Sequence, residues 1–339
     1  METVARPCYR PRLVRILFVT SNRVGDAVLS TGLLDHLIHK HPAARITVVC
    51  GRVAEGVFAR MPNRVATIVL DKRPYGMHWP PLWARVATTV WDLVVDIRGS
   101  ALSWLVATRR RAIWRRRPGH KIAELAAVLG LDPPPLPVVW TAAADRARAL
   151  ALLPGPAPVV ALGPTANWSP KTWPADRFAQ LFRALRAGPL PDAVPAILAG
   201  PGPVERAMAT PLIAALPDAI DLAGRLTLPE VAACLARAAL YVGNDSGLMH
   251  LAAAAGAPTL GLFGPTPVAE YAPVGRRASA VSAPGGRMQE ITVEAAYAEA
   301  CRLLETPAEP FATPVTPGAA PGVGLTHLLD AARPPARGS

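Results

Sequence analysis

Residues 239–264 read ALYVGNDSGLMHLAAAAGAPTLGLFG. An apolar run, ALYVGND, ends in a polar turn, GLMHLAAAAG follows with the composition of a buried helix, and PTLGLFG is a second apolar run. Because Ser246 to Gly264 holds no charged residue except a protonated His250, a membrane-spanning helix is the first alternative to weigh. Gly256, Pro258, Gly261 and Gly264 break the stretch into a short helix and a short strand. The stretch therefore reads as a buried βα unit of a parallel sheet, with Asn244, Asp245, Ser246, Gly247 and His250 gathered where strand hands over to helix.

The same alternation extends outward in both directions. In the first half, strands are predicted at 15–20 (RILFVT), 46–50 (ITVVC), 66–71 (ATIVLD) and 92–99 (DLVVDIRG), and one amphipathic helix at 26–40 that stops before Pro42. The pattern breaks down around 131–158, in LDPPPLP and LLPGPAP, as an interdomain linker does. A second set follows at 158–165, 193–200, 219–224, 239–245 and 258–264. The expected fold class is α/β, two Rossmann-like domains facing a central cleft: residues 1–150, residues 151–305, and a Pro/Ala/Gly-rich, disordered tail at 306–339.

The 339 residues carry a formal net charge of +12, with a dense basic stretch at 109–121, RRRAIWRRRPGHK. An acidic partner is one reading, whether nucleotide phosphates, an anionic membrane or nucleic acid; a solvated basic face is the other. Zinc-finger spacing, an RNA-binding aromatic signature and a recognition helix are all absent, so no nucleic-acid partner is expected. Cys8, Cys50, Cys234 and Cys301 are far apart, without a CxxC pair, and the apolar run near the N-terminus is too short for a signal peptide. A cytoplasmic protein is expected.

Ligands of open α/β sheets bind beyond the carboxyl ends of the strands, which singles out three loops. In TSNRVGDAVLSTG (20–32), Asp26 stands at a helix start, either as a cap or as a general base aimed into the cleft, and the loop lacks GxGxxG. In GPTANWSPKTWPADRF (163–178), Lys171 precedes a helix that Pro174 can begin, where its ammonium neutralises a phosphate or is merely exposed. In the third loop the free N–H groups of the helix at Gly247 suit an anion, and Ser246 and His250 share a face one turn apart. Asp245 sits less easily beside a phosphate and reads as a cap or a loop holder.

With VGDAVLSTGLL, KTWPADRF and VGNDSGLMHLAAAAGAPTLGLFGPT in this order, and DLVVDIRG, AGPGPVE and DLAGRLTLPEVAACLARA between them, residues 14–305 resemble glycosyltransferase family 9, the heptosyltransferases of lipopolysaccharide core assembly. The resemblance implies a GT-B fold and an inverting reaction without metal or other cofactor. It further implies Asp26 as catalytic base, Lys171 as a phosphate-binding and catalytic residue, and Asp245, Ser246, Gly247 and His250 as the seat of the donor diphosphate. The implied donor is ADP-heptose and the acceptor a lipid-linked core oligosaccharide. The glycine-rich loop GPGPVE departs from relatives that carry an acidic residue early in it, so Glu205 is the candidate substitute, and another nucleotide sugar for a different surface polysaccharide is the alternative, as is a non-catalytic sugar-nucleotide-binding homologue. The cluster His36, His39 and His41 lies at the far end of its helix and is not expected to hold a metal. The basic, tryptophan-bearing region from Trp79 to Arg117 suggests peripheral contact with the inner membrane, with Trp91 and Trp104 equally readable as core.

Overall fold

The computed structural model describes residues 13–71, 74–153 and 155–307. Cys8 and the tail from residue 308 lie outside them. In the first half the strands are β1 (Arg15–Val19), β2 (Arg45–Gly51), β3 (Arg64–Leu70), β4 (Trp91–Asp96) and β5 (Thr108–Ile113). Its helices are α1 (Val24–Leu29), α2 (Thr31–Lys40), α3 (Trp79–Ala87) and α4 (Lys121–Ala126). The second half holds β6 (Val159–Gly163), β7 (Val194–Ile197), β8 (Ile220–Asp221), β9 (Leu240–Asn244), β10 (Thr259–Phe263) and β11 (Ala278–Ser282). Its helices are α5 (Ala143–Leu152), α6 (Ala175–Ala187), α7 (Pro203–Ala215), α8 (Leu228–Leu235), α9 (Gly247–Ala254), α10 (Val268–Tyr271) and α11 (Val293–Glu305).

The sheets are wholly parallel, in the orders β3-β2-β1-β4-β5 and β11-β10-β9-β6-β7-β8. Strand order reverses beside β1 and β4 in one sheet and beside β6 and β9 in the other, which are the switch points where doubly wound sheets take ligands. All three candidate loops follow switch-point strands.

Side chains on β1 alternate between two cores, as the two-residue period of a strand requires. Ile16 and Phe18 face a core that runs between the two sheets and includes Ala27, Leu34, Leu235, Met249 and Leu251. Leu17 and Val19 face an outer core closed by Leu82 and Val86 of α3.

The α/β class and the doubled architecture are as expected, and differences are local. The helix predicted at 26–40 is broken at Ser30, whose hydroxyl donates to the Ala27 carbonyl at 2.7 Å, and Thr31 repeats the contact on Val28 at 2.6 Å. Such back-bonding competes with the helical ladder. The expected strand at 219–224 shrinks to the two residues of β8, while β5 and β11, both edge strands, were not expected. The linker region contains α5 between irregular segments, and it crosses α2 closely: a Cβ on Gly32 would fall 2.6 Å from the Pro135 carbonyl oxygen. Ser246–Gly264 forms α9 and β10, and no helix among the described residues is long and apolar enough to cross a membrane.

Candidate active site

The loop after β1 is folded around Ser21. Its carbonyl accepts the Gly51 N–H at 3.3 Å, and its hydroxyl accepts the Arg23 N–H at 3.2 Å and donates to Asp26 Oδ2 at 3.1 Å. Asp26, half-buried in the first turn of α1, is thus oriented by a hydroxyl and carries no ion pair among the described residues. A carboxylate so held is oriented by one oxygen and leaves the other to take up a proton, as a general base must. At the end of β4 the buried Asp96 accepts the N–H groups of Arg98 and Ser100, both at 2.8 Å. That turn places the Arg98 guanidinium on Asn22 Oδ1 at 3.3 Å, beside the Asp26 loop. Arg98 was passed over in the sequence, where its signal was a cation closing the switch-point strand DLVVDIRG.

Across the cleft, Asn244 at the end of β9 holds the second loop by both ends. Its Nδ2 donates to the Pro164 carbonyl at 2.8 Å and its Oδ1 accepts the Trp173 N–H at 3.0 Å. Between these ends Lys171 closes a one-turn 3-10 helix, Ser169–Lys171, and its Nζ meets Asp245 Oδ2 at 2.6 Å. Asp245 is buried. It therefore anchors the lysine, the loop-holding role left open in the sequence. Helix α6 begins at Ala175, directly after Pro174.

Gly247 opens α9, leaving the first N–H groups of that helix without intrahelical acceptors. The Ser246 hydroxyl is buried beside that of Tyr241, whose pKa is raised by burial. Here the two halves touch. A Cβ on Gly25 would lie 2.9 Å from His250 Cδ2, and one on Gly247 would lie 2.8 Å from Val24 Cβ. Glycine at both positions lets the N-termini of α1 and α9 meet face to face, which sets Asp26 in the field of His250. Burial drives the His250 pKa down to about 4 against the opposing pull of Asp245 and Asp26, so the ring is neutral at pH 7, and its Nδ1 is buried without a hydrogen-bond partner. A second clasp joins the halves nearby: His120 Nδ1 accepts the Ile122 N–H at 3.3 Å, which leaves Nε2 to donate to the Ala272 carbonyl at 3.0 Å.

Glu205 folds back over the turn after β7, with its carboxylate against Gly200 and Gly202. It lies at the carboxyl edge of the second sheet. A cavity of about 880 Å³ also lies between the halves, but at the far ends of α8 and α9 beneath residues 135–143, away from these loops. Among the described residues no three His, Cys, Asp or Glu side chains are grouped so as to hold a metal ion, His36, His39 and His41 included.

A family model for glycosyltransferase family 9 (heptosyltransferase) matches residues 99–300. Lipopolysaccharide heptosyltransferase 2 of Salmonella typhimurium is 24% identical over 298 residues, covering 75% of this chain and 83% of that protein. Lipooligosaccharide heptosyltransferase 2 of Haemophilus influenzae is 33% identical over 118 residues, a match spanning 33% of this chain and 33% of that one. The structure of Escherichia coli ADP-heptose lipopolysaccharide heptosyltransferase II superposes with a TM-score of 0.70 at 20% identity, over 86% of this chain and 98% of that one. The fold is thus the GT-B fold that the sequence implied.

Proposed function

The chain belongs to glycosyltransferase family 9 and is a glycosyltransferase, and from that premise we propose that it transfers heptose from ADP-heptose to the lipopolysaccharide inner core by an inverting, metal-independent displacement. The observation that carries this reading is the meeting of the α1 and α9 N-termini, which brings a carboxylate with no counter-ion among the described residues to the edge of an anion seat. The seat suits a diphosphate: the first N–H groups of α9 lack intrahelical acceptors, and the Lys171 ammonium reaches over from the neighbouring loop to Asp245, two residues before Gly247.

In the reaction, Asp26 takes the proton of an acceptor hydroxyl as that oxygen bonds to the anomeric carbon of the donor sugar. The bond from that carbon to the diphosphate oxygen breaks on the opposite side, its electron pair leaves with ADP, and the configuration inverts. Negative charge grows on the leaving group, where Lys171, the α9 amides, Ser246 and His250 stabilise it as a preorganised site. Asp245 contributes by fixing the lysine, and Gly247 by letting the start of α9 close against α1 beside Asp26. ADP-heptose as donor is supported by the name of the E. coli structure with the same fold. A lipid-linked core oligosaccharide as acceptor is supported by the two curated relatives.

Calorimetric titration of the protein without divalent metal, against ADP-heptose, ADP, UDP and GDP, tests the donor. Tightest binding of ADP-heptose is expected. Preference for UDP or GDP would move the protein to another surface polysaccharide.

A further inference from the structure

Tyr241 is wholly buried on β9, yet its hydroxyl has no hydrogen-bond partner among the described residues. Residues two apart on a strand share a face, so Tyr241 and Gly243 point the same way, and Gly163 on β6 is the register partner of Gly243. A Cβ on either glycine would collide with the phenol oxygen. The two glycines therefore form a slot along which the ring runs to the carboxyl ends of β6 and β9, where the anion seat begins.

The slot delivers the hydroxyl to Ser246. Burial pushes the Tyr241 phenol far above its ordinary pKa, and the neighbouring Ser246 hydroxyl pulls the other way. That serine oxygen is itself buried and bonded to no other group among the described residues. Its position makes this unexpected. Ser246 is the N-cap of α9, with extended backbone (φ −153°, ψ 169°) and a carbonyl that accepts the His250 N–H at 3.4 Å. A serine there ordinarily turns its side-chain oxygen onto the amide two or three residues on, as Thr292 does at the start of α11 by accepting the Ala295 N–H at 3.1 Å. Ser246 makes no such bond. Helix α9 thus has a capping residue in place whose cap is withheld, which leaves its first amides for a ligand.

We propose that Tyr241 is a positioning residue of the anion seat: its hydroxyl donates to Ser246 Oγ and holds that oxygen inward, so that the amides of Leu248 and Met249 stay open to the diphosphate. Ser246 then serves the seat through its main chain. Pairing the two hydroxyls removes two unmet buried polar groups at once, which gives the site a use for tyrosine that phenylalanine could not fill. The proposal rests on the heptosyltransferase reading for the anion that the amides receive, whereas the withheld cap is measured without ligand.

The test compares the wild type, Tyr241→Phe and Tyr241→Phe/Ser246→Ala by thermal melting and by calorimetric titration with ADP. Loss of the phenol hydroxyl frees Ser246 to cap α9. Tyr241→Phe should therefore melt no lower than the wild type and bind ADP about fivefold more weakly, the factor that a typical cap represents. With both hydroxyls gone no cap can form, so the double variant should melt about 2 to 4 °C below Tyr241→Phe and bind ADP within about twofold of the wild type. Wild-type ADP affinity in Tyr241→Phe would overturn the proposal. So would a double variant that binds ADP more weakly still, as it must if the Ser246 hydroxyl itself grips the phosphate. A Tyr241→Phe protein that melts below the wild type, with an affinity loss that Ser246→Ala does not repair, would make the tyrosine purely a packing residue. A wild type that binds no nucleoside diphosphate, with the melting order as expected, would overturn the donor-seat reading alone.

Discussion

The N-termini of α1 and α9 are built alike and behave differently. Each follows a switch-point strand, each has an aspartate and a glycine within two residues of one another, and the two pack together through Gly25 and Gly247. Yet Asp26 is half-buried and bonded to the Ser21 hydroxyl, whereas Asp245 is buried against the Lys171 ammonium. An aspartate bound to a cation is a poor base and a good anchor; one bound to a hydroxyl stays available for a proton. The same residue type on the same kind of loop takes its role from what stands opposite it.

The sharpest way to break the comparison is at Asp26. Asp26→Asn should lower turnover by about two to four orders of magnitude, the usual weight of a general base, while the thermal shift produced by ADP stays near that of the wild type. Full turnover in this variant would return Asp26 to a capping role.

At the other aspartate the effect should fall on stability and affinity together. Lys171→Ala leaves Asp245 nearly buried without its counter-ion, and with side-chain exposures of 20% for the lysine and 10% for the aspartate the cost should be about 2 to 3 kcal/mol. Adding Asp245→Asn should restore much of the denaturation midpoint without restoring ADP affinity. Recovery of both would make the pair purely structural.

His250, between the two aspartates, gives the smallest effect. Its pKa is lowered from 6.5 to about 4 by burial, so on acidification the unfolded chain takes up a proton before the folded chain does. Stability must therefore fall as pH drops from about 6.5 toward 4 and be regained on the way back up. Comparing urea unfolding at pH 7.5 and pH 4.5, the wild type should lose about 2 kcal/mol more than His250→Gln. Parallel losses would show that His250 does not contribute to the slope.

Much of this was legible in the sequence, and the exceptions are instructive. Central strands such as RILFV and LYVGN announce themselves because a parallel strand covered on both faces must be apolar throughout. Strand β5, TRRRAI, sits at an open edge with its arginines in solvent, so its pattern is that of a surface, and β11, ASAVS, is too small and too exposed to signal burial. Loop chemistry was legible as candidates only: Lys171 was placed near a phosphate, but its pairing with Asp245 was not, and Arg98 went unremarked.

By itself the sequence determined the two α/β halves, the three loops that meet at their carboxyl edges, and the family to which they belong, since periodicity, turn residues and helix starts are local properties of the chain. Tertiary structure alone decided that Asp26 lies against the start of α9, that Asp245 is bound to a lysine, that Trp91 is core while Trp104 faces solvent, and that burial pushes the His250 pKa down. Each of these depends on the field and packing supplied by residues distant in the chain, and no local pattern encodes a partner brought there by the fold.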